Sequence, residues 1–119
     1  MKKHVFIFSM AVLIFAIITT AQTNAPATGA KIIIDNDKLK VTEYTGMPGK
    51  DICGDGKHNH PAHLTILLTE ATVKITTAEG KTVEQKVPAG AAFWSETETH
   101  TVVNNGTAPV KAYIIELKQ

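Results

Sequence analysis

Gly56-Lys57-His58-Asn59-His60-Pro61-Ala62-His63-Leu64 places three of the chain's five histidines within six positions. Side chains alternate faces along an extended strand, so His58 and His60 point the same way, about 7 Å apart along the chain. That spacing lets two imidazoles reach one ion from one side. A third ligand must then come from a different strand, and His100 opens one well downstream. Neutral imidazole suits zinc, copper, iron and nickel. Three protein nitrogens with an open position are what a catalytic metal site needs. His63 stands at odd spacing from His60, so strict alternation turns it to the opposite face. Pro61 is the residue that can break that alternation.

Working outward, the segments on either side read as short strands. Upstream, Leu39-Lys40-Val41-Thr42-Glu43-Tyr44 alternates apolar and polar residues, after a turn at Asp35-Asn36-Asp37. The intervening stretch from Gly46 to Gly56 is punctuated by Gly46, Pro48, Gly49, Gly54 and Gly56, and reads as loop. Downstream, Leu64 to Leu68 forms a strand, and Val73 to Thr76 alternates cleanly. Ala78-Glu79-Gly80-Lys81 makes a hairpin turn before Val83 to Val87. Pro88-Ala89-Gly90 turns again into Ala92-Phe93-Trp94. His100 to Val103, a turn at Asn104-Asn105-Gly106-Thr107 and a last strand from Val110 to Leu117 complete the chain. After the N-terminal run no segment keeps a 3.6-residue apolar period. Many short strands with regular turn signals predict an all-β sandwich or barrel. Ile66, Leu68, Val73 and Ile75 are expected to line its apolar interior, with the histidines as the polar spot. Phe93 and Trp94 are adjacent and therefore face opposite ways.

The N-terminus has another purpose. Met1-Lys2-Lys3-His4 is a basic head, an apolar run follows from Val5 to Ile18, and Thr19-Thr20-Ala21 offers small residues for cleavage. This is the layout of a secretory signal peptide over residues 1–21, with Gln22 as the new N-terminus. The rival reading, a membrane anchor, needs roughly 20 apolar residues. The expected organisation is therefore a signal peptide, a flexible segment 22–31 and one β domain over 32–119, exported to the periplasm or outside, with no stable membrane anchor after cleavage. Without Lys2 and Lys3, ten basic residues face eleven acidic ones, and no arginine occurs. Phosphate binding needs clustered positive charge, so no nucleic-acid partner is expected. Cys53 is the only cysteine and closes no internal disulfide. It reads most simply as a small, partly buried side chain. A free thiol, a link to a second chain, or a metal ligand beside His58 are its other readings.

The order His58-x-His60-Pro61, a hairpin, Pro88-x-Gly90 and then His100-x-x-x-Asn104 resembles the two motifs of the cupin superfamily, small RmlC-like jelly-roll barrels. The likeness covers nearly all of the chain after residue 21. It implies a cupin-type jelly-roll β-barrel holding a metal through His58, His60 and His100, with Asn104 and Gly90 at the second motif's asparagine and glycine. It also implies a homodimer, since cupins commonly pair through their sheets. Leu64 stands where such cupins often carry a glutamate ligand, so a fourth ligand would come from His63, Glu96 or Glu98. Glu96 and Glu98 read otherwise as solvated loop charges.

Two functional expectations follow. One is a metal-dependent protein using a divalent transition ion (iron, manganese, zinc, nickel or copper) on a small molecule; no separate acid or base stands out, so no catalytic residue is assigned. The other is a non-catalytic ligand-binding or dimer-forming domain without metal. Phosphate loops, serine elbows and His-Glu-x-x-His helices are absent from the sequence.

Overall fold

The computed structural model describes residues 29–119. The signal-peptide reading and the segment up to residue 28 fall outside the described residues. Nine strands follow in order: β1 Gly29–Asp35, β2 Leu39–Gly46, β3 His58–His60, β4 His63–Leu67, β5 Ala71–Thr77, β6 Thr82–Val87, β7 Ala92–Ser95, β8 Glu98–Asn104 and β9 Val110–Leu117. Order begins ahead of the expected Ile32, because Gly29 to Ile32 ladder onto Thr45 to Thr42 of β2. One sheet has the order β1-β2-β9-β4-β7 and the other β3-β8-β5-β6. Every strand pair is antiparallel. The two sheets face each other as a jelly-roll sandwich and do not close into one continuous hydrogen-bonded barrel.

Alternation explains which side chains go between the sheets. In β9, Val110, Ala112 and Ile114 are buried while Lys111 and Tyr113 are less so. In β5, Ala71 and Val73 are buried and Lys74 is exposed. Ile52, Leu67, Ala71, Val73, Val110 and Ala112 form the core, each side chain contributing on the order of 1–3 kcal/mol by leaving water. The β5–β6 hairpin closes through Gly80, whose positive φ of 84° suits a residue without Cβ.

The phase of β4 differs from expectation. The inward residues are His63, Thr65 and Leu67, whereas Ile66 is only half-buried and Leu68 is exposed. Val73 and Ile75 do border the interior, but Ile66 and Leu68 do not. The cause is the corner at Pro61-Ala62. There the chain leaves the sheet of β3 and enters the sheet of β4, so alternation restarts at His63.

Beyond the strands, the loop between β2 and β3 is pinned to β8. Gly49 N–H donates to the Asn104 carbonyl (2.8 Å), Asn104 N–H to the Lys50 carbonyl (2.9 Å) and Ile52 N–H to the Val102 carbonyl (3.0 Å). Gly46 permits this approach: a Cβ there would lie 2.6 Å from Ile52 Cγ1. The Asn104 side chain is wholly buried. Its amide donates to the carbonyls of Gly46 (2.9 Å) and Ala108 (2.8 Å), and its oxygen accepts from Gly106 N–H (2.9 Å). The pinned loop carries Cys53 against the inner face of β8.

Candidate metal centre and cavity

The register between β3 and β8 builds the centre. His58 sits directly opposite His100, Asn59 opposite Thr99 and His60 opposite Glu98. Asn59 faces outward and bonds the Glu98 carbonyl and the Thr99 hydroxyl, both at 3.0 Å, which fastens this three-residue strand. His58 and His60 therefore share the inner face with His100. Ring centroids are 4.8 Å apart for His58 and His60, 4.9 Å for His58 and His100, and 5.6 Å for His60 and His100. Cys53 joins them from the loop. One donor atom from each of Cys53, His58, His60 and His100 lies within 4.8 Å of every other, a set that could hold a metal ion.

Each imidazole has one nitrogen engaged outward. His58 Nδ1 lies 2.8 Å from the Gly56 carbonyl, which can only accept, so Nδ1 carries the proton. Its Nε2 faces Cys53 Sγ at 3.4 Å. His100 Nδ1 lies 3.4 Å from Glu98 Oε1, and its Nε2 is 3.8 Å from the same sulfur. His60 Nδ1 lies 3.7 Å from Glu116 Oε1, while its Nε2 is buried without any hydrogen-bond partner. A hydrogen bond such as that of His58 to Gly56 orients a metal-binding imidazole and fixes its tautomer, and Glu98 and Glu116 place a carboxylate near the outer nitrogen of the other two rings.

Burial lowers the pKa of His60, and the neighbouring His58, His63 and His100 lower it further. Burial also lowers that of His100, against the opposing pull of Glu98. Both rings are thus held in the neutral form that binds metals. The Cys53 thiol is pushed up to about 12, first by burial and further by the Glu98 and Asp51 carboxylates. A bound cation reverses that balance, because a coordinating thiol is deprotonated outright.

The remaining residues singled out from the sequence are placed as follows. His63 is 2% exposed and faces inward after the Pro61-Ala62 corner, contrary to strict alternation. Its ring lies 5.0 Å from that of His60, and its Nδ1 is 2.7 Å from the Pro61 carbonyl. It borders the cavity but is outside the four-donor set. Glu98 stands behind His100. Glu96 accepts from Trp94 Nε1 at 3.0 Å on the exposed side. Leu64 lies on the outer face of β4, and Thr65 is the inward residue beside it. Phe93 borders the cavity and Trp94 faces away. Glu116 escaped the reading of the sequence: it reaches His60 only because β9 and β4 are neighbours, which no local signal reveals. A metal ligand beside His58 was one of several readings open for Cys53, and the loop's ties to β8 bring its sulfur to two imidazoles.

A cavity of about 260 Å³ opens beside this cluster. His63, His100 and Cys53 border one end, and mostly aliphatic side chains such as Leu67, Val73 and Ile114 form the rest. Sites for drug-sized ligands run from about 300 to 1,000 Å³, so this one suits a smaller molecule.

Two facing antiparallel sheets, with histidines and one cysteine gathered beside an inner cavity, define a small jelly roll whose side-chain cluster could hold a metal ion. Solved structures specify the class further. A cupin domain from Bordetella pertussis Tohama I is 27% identical, with 79% of this chain and 96% of that chain covered and a TM-score of 0.70. An RmlC-like cupin family protein with a double-stranded β-helix fold from Methanocaldococcus jannaschii matches at a TM-score of 0.63 with 8% identity, covering 82% of this chain and 85% of that chain. A protein from Bacillus halodurans is 22% identical at a TM-score of 0.59, covering 77% of this chain and 71% of that chain. No family model and no curated protein matches the chain. The chain has the fold of small RmlC-like cupins, the jelly roll that its histidine spacing led one to expect.

Proposed function

We propose that this protein is an exported cupin that binds one divalent transition-metal ion through His58, His60 and His100, beside a pocket for a small, largely apolar molecule. The observation that carries this reading is Nε2 of His60, buried and without a partner. Leaving such an acceptor unsatisfied costs about 1–3 kcal/mol, which an ion would offset. The acceptors facing the three Nδ1 atoms, the Gly56 carbonyl, Glu98 and Glu116, support the same reading, since they favour Nε2 as the free donor on each ring. A bound ion of this class would supply Lewis acidity wherever a coordination position stays open, polarising an oxygen atom or lowering the pKa of water. The chain's own contribution is to keep His60 and His100 neutral, to hold the rings from outside and to surround the pocket with apolar side chains. Export rests on the signal-peptide layout of residues 1–21.

The test is metal content. The protein beginning at Gln22, purified without chelator or affinity histidines, is expected to carry about one equivalent of a transition metal, or to take it up on incubation. His100→Ala should lose it. Absence of metal after incubation with zinc, manganese, nickel, copper and iron, with no rise in thermal stability, would sink the reading. The apolar cavity favours a second reading in that event, a metal-free module for a small hydrophobic ligand.

A further inference from the structure

We infer that Cys53 is the fourth protein ligand, so that the ion is held in a closed tetrahedral set of three imidazole nitrogens and one thiolate, selecting zinc-class ions over manganese or magnesium. The inference rests on the metal-binding reading above and extends it to a residue outside the histidine motifs.

Three observations carry it. The first is distance. In a tetrahedral zinc site, with zinc–sulfur about 2.3 Å and zinc–nitrogen about 2.0 Å, a sulfur and a nitrogen ligand stand about 3.5 Å apart. Cys53 Sγ lies 3.4 Å from His58 Nε2 and 3.8 Å from His100 Nε2. The separations therefore match two ligands of one ion. A thiol has only one proton, so it can donate a hydrogen bond to only one of the two rings. The second is the unpartnered Nε2 of His60, which belongs to the same four-donor set and points to a ligand not supplied by the protein. The third is the absence of a competing acid within that set. Glu98 stands on the far nitrogen of His100, and Glu116 on the far nitrogen of His60. Both serve the rings from outside and leave the fourth place to sulfur.

The local build explains why sulfur arrives there. Ile52 N–H is tied to the Val102 carbonyl, which sets the loop alongside β8 two residues from His100. Gly54 then lets the chain pass the His58 ring, where a Cβ would lie 2.7 Å from Cγ. Cys53 is itself 8% exposed, so the thiolate would be shielded from solvent.

The donor set has a chemical consequence. Thiolate with imidazole in a tetrahedron suits zinc, cobalt(II) as its spectroscopic stand-in, and copper(I); carboxylate and water suit manganese and magnesium. With four protein donors in place, no position on the ion remains for a substrate atom, as in structural zinc sites. Binding deprotonates the thiol and releases that proton to solvent, so charge balances without any oxidant or reductant.

Cobalt(II) titration of the protein from Gln22 onward tests this directly. The expected result is one equivalent bound, with an intense near-ultraviolet thiolate-to-cobalt charge-transfer band and strong tetrahedral visible bands. Cys53→Ser should remove the charge-transfer band and weaken zinc binding by more than about 100-fold, beyond what changing an outer partner does. X-ray absorption of the zinc-loaded wild type, expected to show one sulfur at about 2.3 Å, needs no variant and so stands if Cys53→Ser fails to fold. One equivalent of cobalt without a charge-transfer band, or zinc without a sulfur neighbour, overturns the Cys53 assignment and leaves the three-histidine reading intact. Absence of cobalt and zinc binding overturns the Cys53 assignment, and the three-histidine reading falls with it only if manganese, nickel, copper and iron also fail to bind.

Discussion

The two ends of β8 bury polar side chains in opposite ways. At one end Asn104 has its amide and carbonyl fully engaged, with two donations and one acceptance made to three backbone groups. At the other end, four residues earlier, His100 shares one sulfur with His58 beside the unpartnered Nε2 of His60. Both ends are buried, Asn104 completely and His100 at 7% exposure. A buried polar group is tolerated when every atom is paired, and an orphan needs an explanation. The satisfied end is architecture: it ties the loop after β2 and the turn after β8 to the sheet. The unsatisfied end is a site, because its missing partner is something the chain does not contain.

Asn104→Ala tests the first half of the contrast and should have the largest effect. It strands the Gly46 and Ala108 carbonyls and the Gly106 N–H in a buried setting, so a loss of about 3 kcal/mol is expected by denaturant unfolding. The loss should be the same with and without metal, provided the fold survives. A strong dependence on metal would mean that Asn104 belongs to the site and that the two ends are not separate.

His100→Ala tests the second half. Zinc at 100 times its dissociation constant raises the stability of a native binder by about 2.7 kcal/mol. The variant should show none of that gain, while its metal-free stability should move much less. If the variant gains as much as the wild type from zinc, the three-histidine centre is wrong.

Acid offers a gentler probe of the same end. His60 and His100 have folded pKa values lowered from 6.5, chiefly by burial, so the unfolded chain binds more protons as pH falls below that value. Stability of the metal-free protein should therefore be complete above pH 6.5 and decline as pH drops through the lower folded values. Asn104 does not titrate, so Asn104→Ala should shift the whole curve without changing its slope. His60→Gln should flatten the decline, and an unchanged slope in that variant would remove His60 from the buried neutral set.

Much of this contrast could be read from the chain itself, and the part that could not has a definite cause. Local alternation locates β2, β5 and β9, since each turns one face inward, and the Ala78 to Lys81 turn lies between β5 and β6 as expected. The pair His58 and His60 on one face follows from a period of two within a single strand. Alternation fails where the chain changes sheet. At Pro61-Ala62 the count restarts, which brings His63 and Leu67 inward and puts Ile66 and Leu68 outside. Likewise Cys53 and Glu116 reach the histidines through the packing of a loop on β8 and of β9 on β4, contacts that no stretch of sequence encodes locally.

Outer partners of the rings give a smaller effect. Glu116 bridges His60 at 3.7 Å and Lys40 at 2.8 Å. Glu116→Gln keeps an acceptor near Nδ1 but removes the charge, so metal affinity should fall by about tenfold, the lower range for such partners. The Lys40 pair is partly exposed and worth little, so metal-free stability should change by less than about 1 kcal/mol. Unaltered affinity would show that His60 is held by packing alone.

Glu96 should mark the limit of the site. It lies two residues from Glu98 but on the other side of the contrast, with its carboxylate accepting from the exposed Trp94 ring at 3.0 Å. Glu96→Gln retains an oxygen for that bond, and a surface change of this kind is usually within about 0.5 kcal/mol. Glu98→Gln, by comparison, alters the group behind His100 Nδ1 and should weaken metal binding in the manner of Glu116. Measured side by side in zinc competition titrations, the two variants separate a carboxylate that orients a ring from one that merely stands near in sequence. If Glu96→Gln weakened zinc binding as much as Glu98→Gln, the segment between β7 and β8 would have to fold inward on the ion, and sulfur would no longer be the only answer for the fourth place.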